Sequence, residues 1–130
     1  MSIENNVITL RLLKSEYAIY KFAPEFTLDD EVVCEFISVT RTSDELSVVA
    51  PEKTFLDYLK CENGWKIFKI DEVLDFNIIG IISKISTLLA EAQIGIFVVS
   101  TFNTDYILVK EENVKKAVEV LGLAGFIVSC

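Results

Sequence analysis

A hairpin signature stands at residues 98–110, VVSTFNTDYILVK, and a shorter copy stands at residues 38–50, SVTRTSDELSVVA. At an offset of 60 residues the aliphatic and β-branched positions coincide, and Glu45 coincides with Asp105. Each copy has two β-forming runs around a short polar turn, which is the pattern of an antiparallel hairpin. The repeat predicts two related units that carry an acid at the same point of the turn.

The composition restricts the classes of partner. With 130 residues, 52% of them hydrophobic, the chain can form one core shared by two small units. A net charge of -8 disfavours the phosphate attraction that underlies most nucleic-acid binding. The N-terminus lacks a signal-peptide pattern, and the chain has no apolar run long enough to span a bilayer. We therefore expect a cytoplasmic protein without nucleic-acid or membrane partners.

The chemistry-bearing residues favour no enzyme. The absence of histidine removes the usual general base and the commonest metal ligand. Cys34, Cys61 and Cys130 are widely spaced and fit neither a disulfide framework nor a zinc site, so we interpret them as free thiols in or near the core. Thiol chemistry at one cysteine is the alternative. We expect no catalytic residue, no metal and no cofactor.

The second half of the chain predicts the order β-α-β-β-α-β. A β-rich run at residues 65–70 precedes a helix capped by Asn77. Strands at 96–101 and 105–110 precede a second amphipathic helix and a last strand at 126–128. The first helix has an apolar face formed by Ile78, Ile81, Ile82, Ile85, Leu88, Leu89 and Ala92. This order is ferredoxin-like, an α+β fold with a four-stranded antiparallel sheet and both helices on one face.

The first half repeats this pattern in shortened form. Residues 17–22 align with residues 65–70 at an offset of 48, so twelve residues are missing before the hairpin. Residues 23–34 therefore hold at most a helical turn or two, whereas residues 54–60 could form a short helix. An apolar stretch at residues 7–13 is expected to supply this unit with a strand.

A turn at Asn63-Gly64 marks the predicted boundary between the units. It separates a degenerate unit at residues 1–63 from a complete unit at residues 64–130. A sheet without a full helix leaves one face uncovered, so we expect the first unit to lean on the second.

Four segments, residues 40–49, 64–66, 75–80 and 100–110, resemble small tandem ACT-domain proteins. Such proteins include the regulatory region of aspartate kinases and the CASTOR-type arginine sensors, and the resemblance covers about residues 15–128. It implies a ferredoxin-like ACT domain preceded by a shortened, degenerate ACT-like repeat. It also implies a regulatory protein that holds an amino acid between ACT units and forms a homodimer.

The resemblance also implies a ligand site. In ACT domains the effector touches the turn after the first strand, the start of the first helix and the end of the second strand. Carried over to this sequence, the ligand-binding residues are Asp75, Asn77, Ile78, Ile79, Gly80, Ser100, Thr101, Phe102, Asn103, Thr104 and Asp105.

Physical chemistry supports this site independently. The N-terminus of the helix near Ile78 suits an α-carboxylate, and Gly80 permits close approach of a ligand. Asp105 offers a carboxylate to an α-ammonium or cationic side chain. Simpler roles stay open, because Asn77 could be only a cap, Gly80 a packing glycine and Asp105 a turn residue. The alternative function is a ligand-free dimerisation or protein-interaction module.

Overall fold

The computed structural model describes residues 7–29, 32–71 and 78–130. A 3-10 turn, Glu111–Asn113, leads into the second helix. The strands and α-helices of this part of the chain are β1 (Thr9–Leu12), β2 (Tyr17–Phe22), β3 (Ser38–Arg41), β4 (Leu46–Pro51), β5 (Lys60–Asp71), α1 (Ile78–Glu91), β6 (Ile96–Ser100), β7 (Asp105–Lys110), α2 (Val114–Leu123) and β8 (Ile127–Ser129).

The chain divides into two compact units. The larger unit joins Met1–Lys14 to Lys66–Cys130, and the smaller unit is Ser15–Trp65. Strand β5 runs without a break through the predicted turn at Asn63-Gly64. Gly64 has a φ of 87°, and the pairing with β2 shifts register beside it. The predicted turn was wrong, because the positive φ of this glycine forms a β-bulge inside a long strand.

The larger unit contains the predicted β-α-β-β-α-β order as β5-α1-β6-β7-α2-β8. Its strands lie in the order β8-β1-β5-β7-β6. Strand β1 pairs antiparallel with β5 and parallel with β8. The sheet is therefore mixed, and the prediction of an antiparallel sheet was wrong. It failed because the apolar stretch at residues 7–13, assigned to the first repeat from sequence, inserts between the first and last strands of the second.

Both helices contribute to the core of the larger unit. Ile85 and Leu89 of α1 and Ala117 and Leu121 of α2 are buried in one cluster. The same cluster contains residues from the strands, namely Leu10, Phe68, Ile70, Ile107 and Val109. Since successive side chains of a strand alternate between faces, this cluster places both helices on one face of the sheet.

The smaller unit covers one sheet face with loops instead of helices. Its strands lie in the order β3-β4-β2-β5, and inward-facing residues of β2 and β4 form a buried cluster. Phe26 and Phe55, from the loops after β2 and β4, pack on this cluster. Neither loop contains a helix in its described part, so the short helix predicted at residues 54–60 was wrong. Aromatic side chains from its own loops therefore cover this face of the smaller unit's sheet.

Arg41 at the end of β3 holds the first of these loops in place. Its guanidinium Nη2 donates to the Phe26 carbonyl at 2.9 Å, and its Nη1 donates to the Pro24 carbonyl. The Phe26 ring then stacks on Phe22, with ring centroids 4.5 Å apart. A charge-assisted bond thus fixes the loop that supplies the aromatic cover.

The two hairpins correspond at an offset of 59 residues, not at the 60 residues predicted from the sequence. In the β3-β4 hairpin the Thr42 N–H donates to the Glu45 carbonyl, and in the β6-β7 hairpin the Thr101 N–H donates to the Thr104 carbonyl. Strands β4 and β7 also share the same pattern of buried positions. Asp105 is therefore equivalent to Leu46, and the predicted equivalence of the acids Glu45 and Asp105 was wrong. A shift of one residue exchanges the two faces of a strand, and two runs of aliphatic residues cannot fix that register from sequence.

None of the helices in the described residues is long and apolar enough to cross a membrane.

Two tyrosines on β2 are equally buried but differently bonded. The Tyr20 hydroxyl donates to the Pro51 carbonyl at 3.1 Å and accepts from the Thr54 N–H at 3.2 Å. Tyr17 is 0% exposed, and its hydroxyl has no hydrogen-bond partner within the described residues. Burial, followed by the negative charge of Glu35, raises the pKa of Tyr17 to about 12.

We predict opposite effects of removing these two hydroxyls. Tyr17→Phe removes an unsatisfied group, so the free energy of unfolding should stay unchanged or rise by up to about 1 kcal/mol. Tyr20→Phe, the matched control, leaves a donor and an acceptor without their partner and should lower it by about 1 to 2 kcal/mol. Urea unfolding of both variants measures the difference. A larger loss for Tyr17→Phe than for Tyr20→Phe would contradict this assignment.

Candidate functional site

The predicted site lies in the larger unit, at the end where β5 leads to α1 and β6 turns into β7. Asp75 and Asn77 fall outside the described residues. Ile78, Ile79 and Gly80 form the first turn of α1, and Gly80 is exposed. That turn contains no acidic side chain, so the helix's own residues leave the positive end of its dipole uncompensated.

The six predicted hairpin residues divide into two groups. Ser100, Thr101, Phe102 and Asn103 are exposed, and Phe102 projects almost wholly into solvent. Thr104 and Asp105 are the two buried polar residues recorded for the described part of the chain. The exposed residues form the tip of the hairpin, and the two buried ones begin β7. The family resemblance gave all six the same role, whereas the structure divides them into exposed and buried residues.

Thr104 has a structural hydrogen bond that the sequence did not predict. Its Oγ1 donates to the Ile70 carbonyl at 2.7 Å, near the end of β5. Its backbone carbonyl accepts from the Thr101 N–H at 2.8 Å and from the Thr101 Oγ1 at 3.1 Å. The hydroxyl of Thr104 therefore positions the hairpin against β5, from which the chain continues to α1. Because Ile70 contributes only a backbone oxygen, no side-chain pattern could have identified this contact.

Asp105 is the unusual residue of this site. It is 5% exposed and lies across the hairpin from Ser100. Its equivalent in the smaller unit, Leu46, is 0% exposed. Within the described residues its carboxylate has no hydrogen-bond or ion-pair partner. A carboxylate in so enclosed a place, with no partner from the described part of the chain, suits a positively charged ligand group.

A second acid, next to the Ile70 that bonds Thr104, already has cationic partners. Asp71, the last residue of β5, lies 3.6 Å from the Arg11 Nε and 3.9 Å from the Lys69 Nζ. Arg11 comes from β1, the strand that sequence analysis assigned to the other unit. The end of β5 thus pairs its own acid internally, and Asp105 remains the buried acid available to a ligand.

The described residues offer no metal centre, since no three potential ligands converge there. Cys34 and Cys61 are partly buried and Cys130 is exposed, and all three are free thiols. Burial, with a smaller contribution from Glu52, raises the pKa of Cys61. A raised pKa reduces the thiolate fraction and so disfavours nucleophilic reactivity at this cysteine.

Comparison with known proteins identifies the family. Residues 60–122, from the start of β5 almost to the end of α2, match the ACT domain. The structure resembles the crystal structure of protein Atu0741 from Agobacterium tumefaciens, with a TM-score of 0.86 and 32% sequence identity over 94% of this chain and 92% of that chain.

A second solved structure shares the fold. It is a protein of unknown function, VC0802 from Vibrio cholerae, described as a possible transport protein. The TM-score is 0.69 at 20% identity, over 89% of this chain and 88% of that chain. A search of curated proteins gave no significant match. The βαββαβ order of the larger unit and the matched residues together show that this chain contains an ACT domain.

Proposed function

We propose that the protein is a non-enzymatic regulator that binds an amino acid at the Asp105 end of its ACT domain. One observation carries the proposal, namely an acidic residue, 5% exposed, at a position where the equivalent hairpin has leucine. ACT domains suggest regulatory binding of small molecules, and the chemistry here favours a ligand with an ammonium or other cationic group. The predicted location of the ligand between ACT units stays a prediction.

In this proposal, the two ends of an amino acid bind to the two halves of the site. Asp105 would accept hydrogen bonds from the ammonium, and the N-terminus of α1, where Gly80 permits close approach, would donate to the carboxylate. Thr104 would fix the hairpin against β5 through the Ile70 carbonyl. A site assembled in advance loses less entropy when the ligand binds.

The smaller unit is, in this proposal, a shortened ACT-like repeat without a ligand site of its own. The register of its hairpin matches that of the larger unit, which supports a common origin. Leu46 replaces the acid, and loops replace the helices whose N-terminus could bind a carboxylate. The repeat would therefore support the ACT domain, while ligand binding depends on the larger unit.

A homodimer formed through the edge of β6 is the second proposal, and it fits the alternative function of an association module. Strand β6 pairs with β7 alone among the described strands, and residues 92–104 contain no charged side chain. Sheet edges are usually protected from association by charge, proline or a cover. An uncharged edge pairs with a second copy of itself without repulsion.

We predict that at least one amino acid at millimolar concentration raises the melting temperature, and that Asp105→Asn abolishes this response. Loss of the charge-assisted hydrogen bond should weaken binding by about 10- to 100-fold. A thermal-shift assay with each proteinogenic amino acid measures the change in melting temperature, and calorimetry then measures the affinity for those that raise it. Glu45→Gln is the matched control, since it neutralises an acid in the other hairpin, and it should respond like the wild type. No response of the wild type to any amino acid would contradict the proposed function.

For the dimer, we predict that Val98→Lys shifts the protein to monomer in sedimentation analysis. The substitution places a charge on the exposed edge of β6, where two copies would bring like charges together. Val39→Lys, at the equivalent position of β3, should leave the dimer intact. Equal dissociation of both variants, or a wild type that is monomeric at all concentrations tested, argues against association through β6.

A further inference from the structure

One edge of strand β3 carries backbone N–H and C=O groups that form no hydrogen bond to another described strand. It pairs only with β4, and hydrogen-bonded pairs alternate with non-hydrogen-bonded pairs along this ladder. Because Thr42 bonds to Glu45, the N–H and C=O groups of Val39 and Arg41 point away from β4. Val39 is 49% exposed, and the residues on either side of it reach solvent.

The usual protection of such an edge is missing. Long basic side chains commonly project from edge strands and block the approach of another strand. The one basic residue of β3, Arg41, instead binds the carbonyls of Pro24 and Phe26 in its own loop. Its guanidinium, although exposed, is therefore bound to its own loop, and the outer edge of β3 stays open to an extended chain.

The surroundings of this edge are acidic. The described residues 22–29 and 32–40 contain three acidic residues and no basic one, and Arg41 follows them. Glu25, Asp44 and Glu45 have no ion-pair partner within the described residues. Their charges lie in the loop held by Arg41 and in the turn that ends the β3-β4 hairpin. The potential at this edge is negative, which attracts positively charged partners and repels acidic ones.

The equivalent edge of the larger unit, on β6, is uncharged rather than acidic. Val98 on β6 corresponds to Val39 on β3 at the offset of 59, and residues 92–104 carry no charge. A second copy could therefore pair at β6 without electrostatic cost. At β3 a second copy would bring two acidic surfaces within a screening length of about 8 Å. The same hairpin geometry thus presents two edges that select different partners.

We propose that β3 is a docking edge for an extended, basic segment of another protein, which adds to the sheet as a further strand. The segment's backbone pairs with the outward N–H and C=O groups of Val39 and Arg41. Basic side chains at alternate positions of the segment lie on the sheet face that carries Val39 and the acidic loop, where their aliphatic stems cover Val39. The apolar residues between them lie on the opposite face, beside Ser38 and Thr40. This mode combines main-chain affinity with specificity from alternate side chains.

The probe for this proposal is a synthetic peptide of alternating lysine and valine, capped at both ends. Amide hydrogen exchange of the full-length protein should slow by about tenfold or more at Val39 and Arg41 when the peptide is bound. Exchange at Val98 should stay unchanged. The charge-reversed peptide of alternating glutamate and valine is the control for electrostatics, and binding of the basic peptide should weaken as salt increases.

Two proline variants locate the docking edge. Val39→Pro removes an outward N–H that the β3-β4 ladder does not use, and it should weaken peptide binding by about tenfold or more. Val98→Pro makes the same change on the equivalent edge; it should disrupt the dimer proposed there but bind the peptide like the wild type. Circular dichroism checks the fold of both variants. If Val39→Pro fails to fold, the test rests on amide exchange in the wild type, where the peptide should protect Val39 and Arg41 but not Val98.

Three results would overturn the proposal. They are peptide protection at Val98 instead of Val39, equal binding of the acidic and basic peptides, and unchanged binding by a folded Val39→Pro variant.

Discussion

The hydrogen bond from the Thr101 N–H to the Thr104 carbonyl sets the register of the β6-β7 hairpin. Register decides which side chains of a strand face the interior, and a shift of one residue would exchange the two faces. In the observed register Asp105 takes the buried position that Leu46 takes in the other hairpin. Thr104 beside it bonds to Ile70 and so fixes the hairpin against β5. The candidate ligand site follows from these few backbone constraints.

Periodicity was sufficient to predict the larger unit in outline. The apolar residues of α1 recur at helical spacing, and those described lie in or against the core, which confirms the helix. The order of elements from β5 to β8 also follows from the sequence, because each strand is bounded by turn residues or a helix signal. Local patterns of this kind need no knowledge of distant partners.

Features that depend on long-range pairing were not predictable. The stretch containing β1 reads as a strand, but nothing in it specifies β5 and β8 as its neighbours. Gly64 next to Asn63 suits a turn as well as a bulge, and only the pairing with β2 distinguishes them. The hairpin offset was wrong by one residue because both β4 and β7 are runs of aliphatic side chains. The binding residues were named from family resemblance. The structure gives two of them different roles, because Thr104 fixes the hairpin to β5, whereas Asp105 is enclosed without a partner among the described residues.

Restoring leucine at position 105 tests the central claim most directly, because it gives the larger unit the residue found at the equivalent position of the smaller one. A carboxylate kept for a ligand lowers the stability of the unliganded protein, so Asp105→Leu should raise the free energy of unfolding in urea by about 2 kcal/mol. The same variant should lose any stabilisation by amino acids. A fall in the free energy of unfolding would contradict the account, because it would show that Asp105 stabilises the fold itself.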